Sequence, residues 1–243
     1  MKSEIIYEDD NVIVCYKIAG MATEGTRSFQ MDLVSELKNY IARNNKLNGK
    51  VGQPPYLAVI HRLDQPVEGL LVFAKDKKSA AVLSREVQTG KLKKSYLCVV
   101  CGKPEGKGHL KDLLTKDSNG LAKVVVDNDK TAKKAELKFE TLESREIEGG
   151  IISLLKVELM TGRFHQIRVQ MSHAGYPLLG DQKYGTDISQ KVSSDLKVQN
   201  VALCADRIAF NHPVTGRASE YNIIPRADIF GLFTSFNNKG EQH

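Results

Sequence analysis

Two short apolar runs enclose a charged tetrapeptide near residue 60, and this pattern constrains the fold more than any other feature of the chain. Residues 57–60 read Leu-Ala-Val-Ile, residues 61–64 read His-Arg-Leu-Asp, and residues 69–74 read Gly-Leu-Leu-Val-Phe-Ala. Short apolar runs bounded by turn residues are typical of buried strands. The pattern therefore predicts two buried strands joined by a turn that carries Asp64.

Asp64 is the first candidate for chemistry, because a carboxylate among apolar segments is unfavourable unless it is paired or catalytic. Arg62 and Asp64 lie on the same side of the chain if the extended geometry continues beyond Ile60. The alternative is an aspartate that stabilises the turn, which is common. The flanking runs alone leave both interpretations open.

A cationic segment a hundred residues later is the second candidate. Residues 160–168 read Met-Thr-Gly-Arg-Phe-His-Gln-Ile-Arg, and a short helix is predicted over residues 164–174. On one side of this helix, at three- and four-residue spacing, lie His165, Arg168 and Ser172. The planar fork of Arg168 could pair with a carboxylate or a phosphate, and such a partner would hold Asp64 ionised. The alternative is an exposed helix with an ordinary surface arginine.

Tyr96 lies in a third segment of interest, a predicted strand over residues 93–101 that starts with two lysines and continues with apolar residues. A tyrosine there could stack on a base and keep its hydroxyl for hydrogen bonding. The alternative is a half-buried strand tyrosine without a chemical role.

Net charge is compatible with a polyanionic partner. The chain has 243 residues, a formal net charge of +6 and lysine clusters within residues 75–78, 91–94 and 130–138. Cations that neutralise phosphates release counterions and so favour nucleic-acid binding, whereas a solvated surface is the other explanation. No run approaches the roughly 18 apolar residues of a membrane helix. Four cysteines do not suggest a disulfide framework, so we expect a cytoplasmic setting.

Motifs of several other function classes are missing from the sequence. Cys98 and Cys101 would point to opposite faces of a regular strand, and no second close cysteine pair follows. The chain contains neither Gly-x-x-x-x-Gly-Lys-Ser/Thr nor Gly-x-Ser-x-Gly. We therefore expect no metal site and no nucleotide cofactor.

Helical and strand patterns are interspersed along the chain without strict alternation. Helices are predicted over residues 31–41, 77–88 and 225–236, a loop over 44–55, and strands over 5–7, 12–16, 93–101, 121–127, 135–143 and 150–159, with a further apolar segment over 201–210. This order predicts an α+β fold with a mixed, mostly antiparallel central sheet flanked by helices. We expect one catalytic domain over residues 1–243, with a disordered tail over 237–243.

Together these segments resemble the RluA-type family of RNA pseudouridine synthases. The family's His-Arg-Leu-Asp, Gly-Leu-Leu and Ala-Lys, its Lys-x-Tyr strand, its Thr-Gly-Arg-x-His-Gln-Ile-Arg element and the following Gly-x-Pro, Leu-Gly-Asp and Tyr-Gly match residues 61–64, 69–71, 74–75, 94–96, 161–168, 175–177, 179–181 and 184–185. The chain departs from the family pattern at Ile18, at Val67-Glu68, where Thr-Ser is usual, and at Phe164, where threonine is usual.

The resemblance implies the pseudouridine synthase catalytic fold and isomerisation of uridine in ribosomal or transfer RNA without a cofactor. It implies Asp64 as the essential carboxylate, Arg168 as its ion-pair partner and Tyr96 as the residue that stacks on the uracil. RNA contacts are expected of His61, Arg62, Lys93, Lys94, Arg163, His165 and Gln166. We expect a monomer without membrane or obligate protein partners, and without the S4-type RNA-binding domain that many members carry at the N-terminus.

Two alternatives come from other function classes. An RNA-binding protein with lost catalysis is suggested only by Val67-Glu68. A hydrolase that uses Asp64 on a small glycoside would need a second carboxylate about 5 Å away, and the sequence offers no evident one.

Overall fold

A computed structural model of the chain describes residues 1–25, 31–47, 54–126 and 130–237. These residues divide into two compact units, of which the first comprises Met1–Lys94 and Ala205–Ile223, and the second comprises Ser95–Cys204 and the residues from Ile224 onward. Of the tail expected over 237–243, only Asn237 is described, at the end of the last helix. The loop expected over 44–55 is helical as far as Leu47, and residues 48–53 lie outside the described part of the chain.

The first unit begins with an antiparallel hairpin whose second strand pairs with a third, buried strand. In chain order its elements are β1 (Glu4–Glu8), β2 (Val12–Lys17), α1 (Leu33–Leu47), β3 (Ala58–Val59), β4 (Glu68–Ala74) and α2 (Lys77–Gln88). Strand β2 pairs with both β1 and β4, and the short β3 pairs with β4, all antiparallel. The predicted strands on either side of Asp64 are thus confirmed, although the first is only two residues long.

The second unit is dominated by long antiparallel strands. Its elements include β5 (Lys93–Cys101), whose first two residues belong to the first unit, and β6 (Lys107–Lys116), β7 (Ala122–Val125), β8 (Lys133–Ile147), β9 (Gly150–Leu159), α3 (Gln166–His173) and α4 (Asp187–Asp195). The pairing runs from β5 to β9, β8, β6 and β7, antiparallel at every step.

The chain then returns to the first unit through a second hairpin, β10 (Leu203–Asn211) and β11 (Ala218–Asn222). Strand β10 lies beside β4. Gly69 of β4 has φ +127°, and a Cβ atom there would lie 2.4 Å from the backbone nitrogen of Ala205, so only glycine allows this approach. One apolar core joins these strands to α2 through Val12, Val14, Leu70, Val72, Ala74, Leu83, Leu92, Ile208 and Phe210.

The prediction of one continuous helix over residues 225–236 is wrong. The structure has a 3₁₀ turn over Asp228–Leu232 and a short helix α5 (Thr234–Asn237). Phe233 between them is extended, with φ −99° and ψ 140°. Its side chain is fully buried, so the break in the helix coincides with a residue that packs in the protein interior. Among the described residues, no helix has both the length and the hydropathy of a membrane span.

Candidate active-site residues

Asp64 lies half exposed in the turn that leads into β4. The hydroxyl of Thr23 donates to the carbonyl of Leu63 (2.9 Å) and accepts from its backbone N–H (3.3 Å). The backbone N–H of Val67 donates to the carbonyl of Asp64 (3.1 Å), and that of Gly20 donates to the carbonyl of Gln65 (2.9 Å). These hydrogen bonds hold the backbone of the turn, and none of them uses the side chain of Asp64.

Lys17, at the end of β2, is the functional candidate that the sequence reasoning missed. Its side chain is fully buried, and Nζ donates to the carbonyl oxygens of Ile18 (3.1 Å), Met21 (2.7 Å) and Gln65 (3.1 Å). Burial lowers the pKa of Lys17 to about 7, and the negative charge of Asp64 acts in the opposite direction. Lys17 therefore ties the first hairpin to the Asp64 turn and places a cation in the electrostatic environment of that carboxylate.

The titration of Lys17 predicts a pH-dependent stability. Below pH about 7 the lysine is protonated in both the folded and unfolded states. Between about pH 7 and its ordinary pKa of 10.5, the unfolded chain binds the proton more strongly, so the free energy of unfolding rises with pH. The slope can reach about 1.4 kcal/mol per pH unit.

Urea unfolding of the wild type and Lys17→Met at pH 6.5 and 8.5 checks this expectation. The wild type should gain stability relative to the variant between the two pH values, because the other titrating groups cancel in the difference. Identical changes in the two proteins would show that Lys17 does not titrate in this range.

Two of the predicted RNA contacts lie at the start of the same segment. The ring of His61 is buried, and its Nε2 accepts from the backbone N–H of Val72 (3.3 Å). Burial, with the positive charge of Lys94, lowers the pKa of His61 well below its usual value, which agrees with a neutral acceptor. Arg62 is exposed. RNA contact by either residue stays a prediction.

The two lysines at the start of β5 differ in their exposure to solvent. Lys93 is exposed, whereas Lys94 is half buried, and burial lowers the pKa of Lys94 to about 8. Both remain candidates for phosphate contact. Farther along the same strand, Tyr96 is 5% exposed and lies opposite Val157 of β9.

Arg168 in the second unit makes a buried, bidentate ion pair with Asp181. Its Nε lies 2.7 Å from Oδ2 and its Nη2 lies 2.8 Å from Oδ1, and the two side chains are 3% and 1% exposed. Asp181 also accepts from the backbone N–H groups of Lys183 (3.0 Å) and Tyr184 (3.2 Å). The alternative of an exposed amphipathic arginine is therefore wrong, because α3 buries Arg168 as well as its apolar residues. The carboxylate partner in this unit is Asp181, and pairing with Asp64 stays a prediction.

Asp181 had no assigned role in the sequence reasoning, although its Leu-Gly-Asp motif was visible. Gly180 has φ +73°, and a Cβ atom there would lie 2.0 Å from the carbonyl oxygen of Asn200. Only glycine fits such a position, so the motif marks a tight turn that presents the following carboxylate. That Gly-Asp signal could have identified Asp181.

The segment before α3 is fixed by side-chain hydrogen bonds. The Oε1 atom of Gln166 accepts from the backbone N–H of Arg163 and from the hydroxyl of Thr161, both at 2.9 Å. His165 is buried at φ +53°, with Nδ1 2.8 Å from the hydroxyl of Tyr184. Arg163 is exposed, and its Nε donates to the carbonyl of Lys134 (2.9 Å). His165 and Gln166 thus have internal partners, and RNA contact by any of the three stays a prediction.

Comparison with known proteins identifies the family of the chain. The family profile described as RNA pseudouridylate synthase matches residues 11–173. This chain belongs to that family. The predicted RluA-type relationship is confirmed, and family membership makes the chain an isomerase that acts on uridine in RNA.

Relatives at moderate identity carry names for two RNA classes. The chain is 32% identical over 224 residues to the tRNA pseudouridine synthase C of Pasteurella multocida, with 88% of each chain covered. It is 30% identical over 233 residues to the ribosomal large subunit pseudouridine synthase D of Zymomonas mobilis, covering 95% of this chain and 71% of that protein. It covers 65% of a related Haemophilus influenzae synthase at 28% identity.

A solved structure supports the fold. The human RNA Pseudouridylate Synthase Domain Containing 4 matches with a TM-score of 0.71 at 22% identity, covering 92% of this chain and 89% of that one. Together with the antiparallel pairing, this match confirms the predicted α+β fold.

Proposed function

We propose that this pseudouridine synthase isomerises a specific uridine in ribosomal or transfer RNA, with Asp64 as the essential carboxylate. The observation that carries the proposal is the setting of Asp64, a half-exposed carboxylate on a turn held by backbone hydrogen bonds, with the buried ammonium of Lys17 nearby. A carboxylate held in this way can reach a substrate without the turn having to reorganise.

The chemistry assigned to the site is an isomerisation. The bond between N1 of the uracil and C1′ of the ribose breaks, the uracil turns in place, and a bond forms between C5 and C1′. The hydrogen on C5 leaves to solvent and N1 gains a proton, so the step needs no oxidant or cofactor. The target base has to leave its stack, at a cost of a few kcal/mol.

Each of the three proposed catalytic residues has a distinct role. Asp64 acts on the ribose, as a nucleophile or as a base. Tyr96 stacks on the uracil and assists proton transfer at C5. Arg168 is the proposed ion-pair partner of Asp64. A guanidinium has five N–H donors, so the two hydrogen bonds between Arg168 and Asp181 are compatible with a second carboxylate partner.

Neither alternative function gains support from the structure. The buried Glu68, which replaces a residue usual in the family, accepts a hydrogen bond from the hydroxyl of Tyr16 and therefore has a structural role. Its presence gives no reason to infer lost catalysis. Membership of an isomerase family likewise disfavours a glycoside hydrolase. The proposal includes a cytoplasmic monomer without an obligate protein partner.

Mapping pseudouridine in both RNA classes tests the choice of substrate. Ribosomal and transfer RNA from cells that lack this protein are incubated with the purified enzyme, treated with carbodiimide, and analysed by primer extension. A new stop in one class identifies the RNA and the uridine. Incubation without new stops in either class would overturn the proposal.

A further inference from the structure

A groove in the second unit combines exposed cations with an exposed aromatic ring. It encloses about 510 Å³, and its lining includes Lys116 of β6, Lys133 of β8, and Arg163 and Phe164 from the segment before α3. All four side chains are exposed. None of the described residues that line the groove is acidic. The groove therefore offers a positively charged rim around an aromatic surface.

Phe164 is held as a platform. Its ring stacks on that of His165, with the centroids 3.7 Å apart and the planes 22° from parallel. His165 is buried, and the hydroxyl of Tyr184 lies 2.8 Å from its Nδ1. Phe164 is nevertheless 40% exposed. An aromatic ring backed by a fixed neighbour loses little conformational entropy when a ligand stacks on it.

The cations around the ring are positioned to meet an anion. The ammonium of Lys116 lies 4.2 Å from the centroid of the Phe164 ring. Arg163 is anchored by the hydrogen bond between its Nε and the carbonyl of Lys134. In the part of the chain that the structure describes, neither Lys116 nor Lys133 forms an ion pair with a carboxylate.

We propose that this groove binds an unpaired nucleotide of the substrate RNA other than the target uridine. The base stacks on Phe164, and the adjoining phosphates contact Lys116, Lys133 and Arg163. The proposal rests on the proposed function and extends it to a second contact between enzyme and RNA. A π-face surrounded by cations suits a base with its phosphates, and stacking tolerates any base.

The contact between Lys116 and Phe164 is compatible with this proposal. The lysine stem is flexible, and an exposed cation–π contact is weaker than the stacking of a base on an aromatic ring. The ammonium can therefore yield its place over the ring to a base and move to the phosphate. The binding energy then comes from stacking together with counterion release.

The structural alternative is that Phe164 merely covers His165. Phe164→Leu keeps an apolar cover but loses stacking, whereas Phe164→Trp keeps both. On the stem-loop that carries the modified uridine, we expect Phe164→Leu to raise KM about tenfold, with kcat within about twofold of the wild type. Phe164→Trp should restore KM.

Charge variants test the phosphate contacts separately. Lys116→Ala should raise KM. It should also reduce the magnitude of the negative slope of the log binding constant against log salt by about one. The matched control is Lys191→Ala in the same unit, because Lys191 is an exposed lysine on α4 that pairs with Asp195 (3.7 Å) away from the groove. The control should leave both quantities unchanged.

Stacking is measured directly with single-stranded RNA nonamers that contain 2-aminopurine. The wild type should quench the fluorescence, Phe164→Trp should retain the quench, and Phe164→Leu should lose it. If Phe164→Leu and Lys116→Ala both keep the KM, the salt slope and the quenching of the wild type, the proposal for the groove is overturned. The proposed function is then left intact. A wild type that quenches the nonamers but modifies no RNA would remove the proposed function and retain the groove.

Discussion

Asp64→Asn should lower turnover by at least about a thousandfold while RNA affinity stays within about twofold of the wild type. Asparagine has nearly the same size as aspartate but is neither a nucleophile nor a base. The turn keeps its shape because its hydrogen bonds come from Thr23, Gly20 and Lys17 and reach backbone atoms. Single-turnover kinetics and a filter-binding assay on the same RNA separate the two effects.

The matched control is Asp10→Asn. Asp10 is an exposed aspartate in the same unit, between β1 and β2, and its replacement should leave turnover and binding unchanged. Turnover of Asp64→Asn within tenfold of the wild type would contradict the assignment.

Asp181→Ala should lower the free energy of unfolding by about 3–5 kcal/mol, because it leaves the buried guanidinium of Arg168 without its bidentate partner. The exposed pair between Arg207 and Glu220 has almost the same geometry, with contacts of 2.8 and 2.7 Å. Glu220→Ala should therefore cost far less than Asp181→Ala, since solvent screens the exposed pair. Urea unfolding of the two variants measures the contrast, and equal costs would show that burial does not decide the contribution.

A double replacement separates stability from catalysis. Arg168→Met combined with Asp181→Leu exchanges the buried ion pair for apolar side chains, which is often neutral for stability. It should recover most of the stability lost in Asp181→Ala but no turnover, because the guanidinium is gone. Arg168→Lys should also lose activity, since a point charge replaces a planar fork. Activity in the double variant would remove Arg168 from the proposed chemistry.

Local sequence patterns predicted the parts of the fold where one face of an element is apolar. Helix α2 and strand β9 were predicted at their observed bounds, because their apolar residues follow the helical and strand periods. Strand β6 was not predicted, because Lys107–Lys116 contains four charged residues among its ten and follows a turn-rich segment. It is a strand because it pairs with β7 and β8, and this pairing cannot be predicted from the local sequence pattern.

Candidate site residues could be selected from the sequence where a motif marks them, whereas partners that are close only in space could not. Asp64 and Arg168 stood out as charges among apolar neighbours. The partnership of Arg168 with Asp181 joins residues thirteen positions apart. Lys17 contacts the carbonyl of Gln65, 48 residues away, and nothing in the sequence around a lysine that ends an apolar strand specifies that carbonyl.

The most direct test of the central claim is tritium release from RNA labelled at C5 of uridine, prepared from cells that lack this protein. We expect release by the wild type and by Asp10→Asn, and none by Asp64→Asn. Tight RNA binding by the wild type without any release would contradict the isomerase, and release by Asp64→Asn at the wild-type rate would contradict the role of its carboxylate.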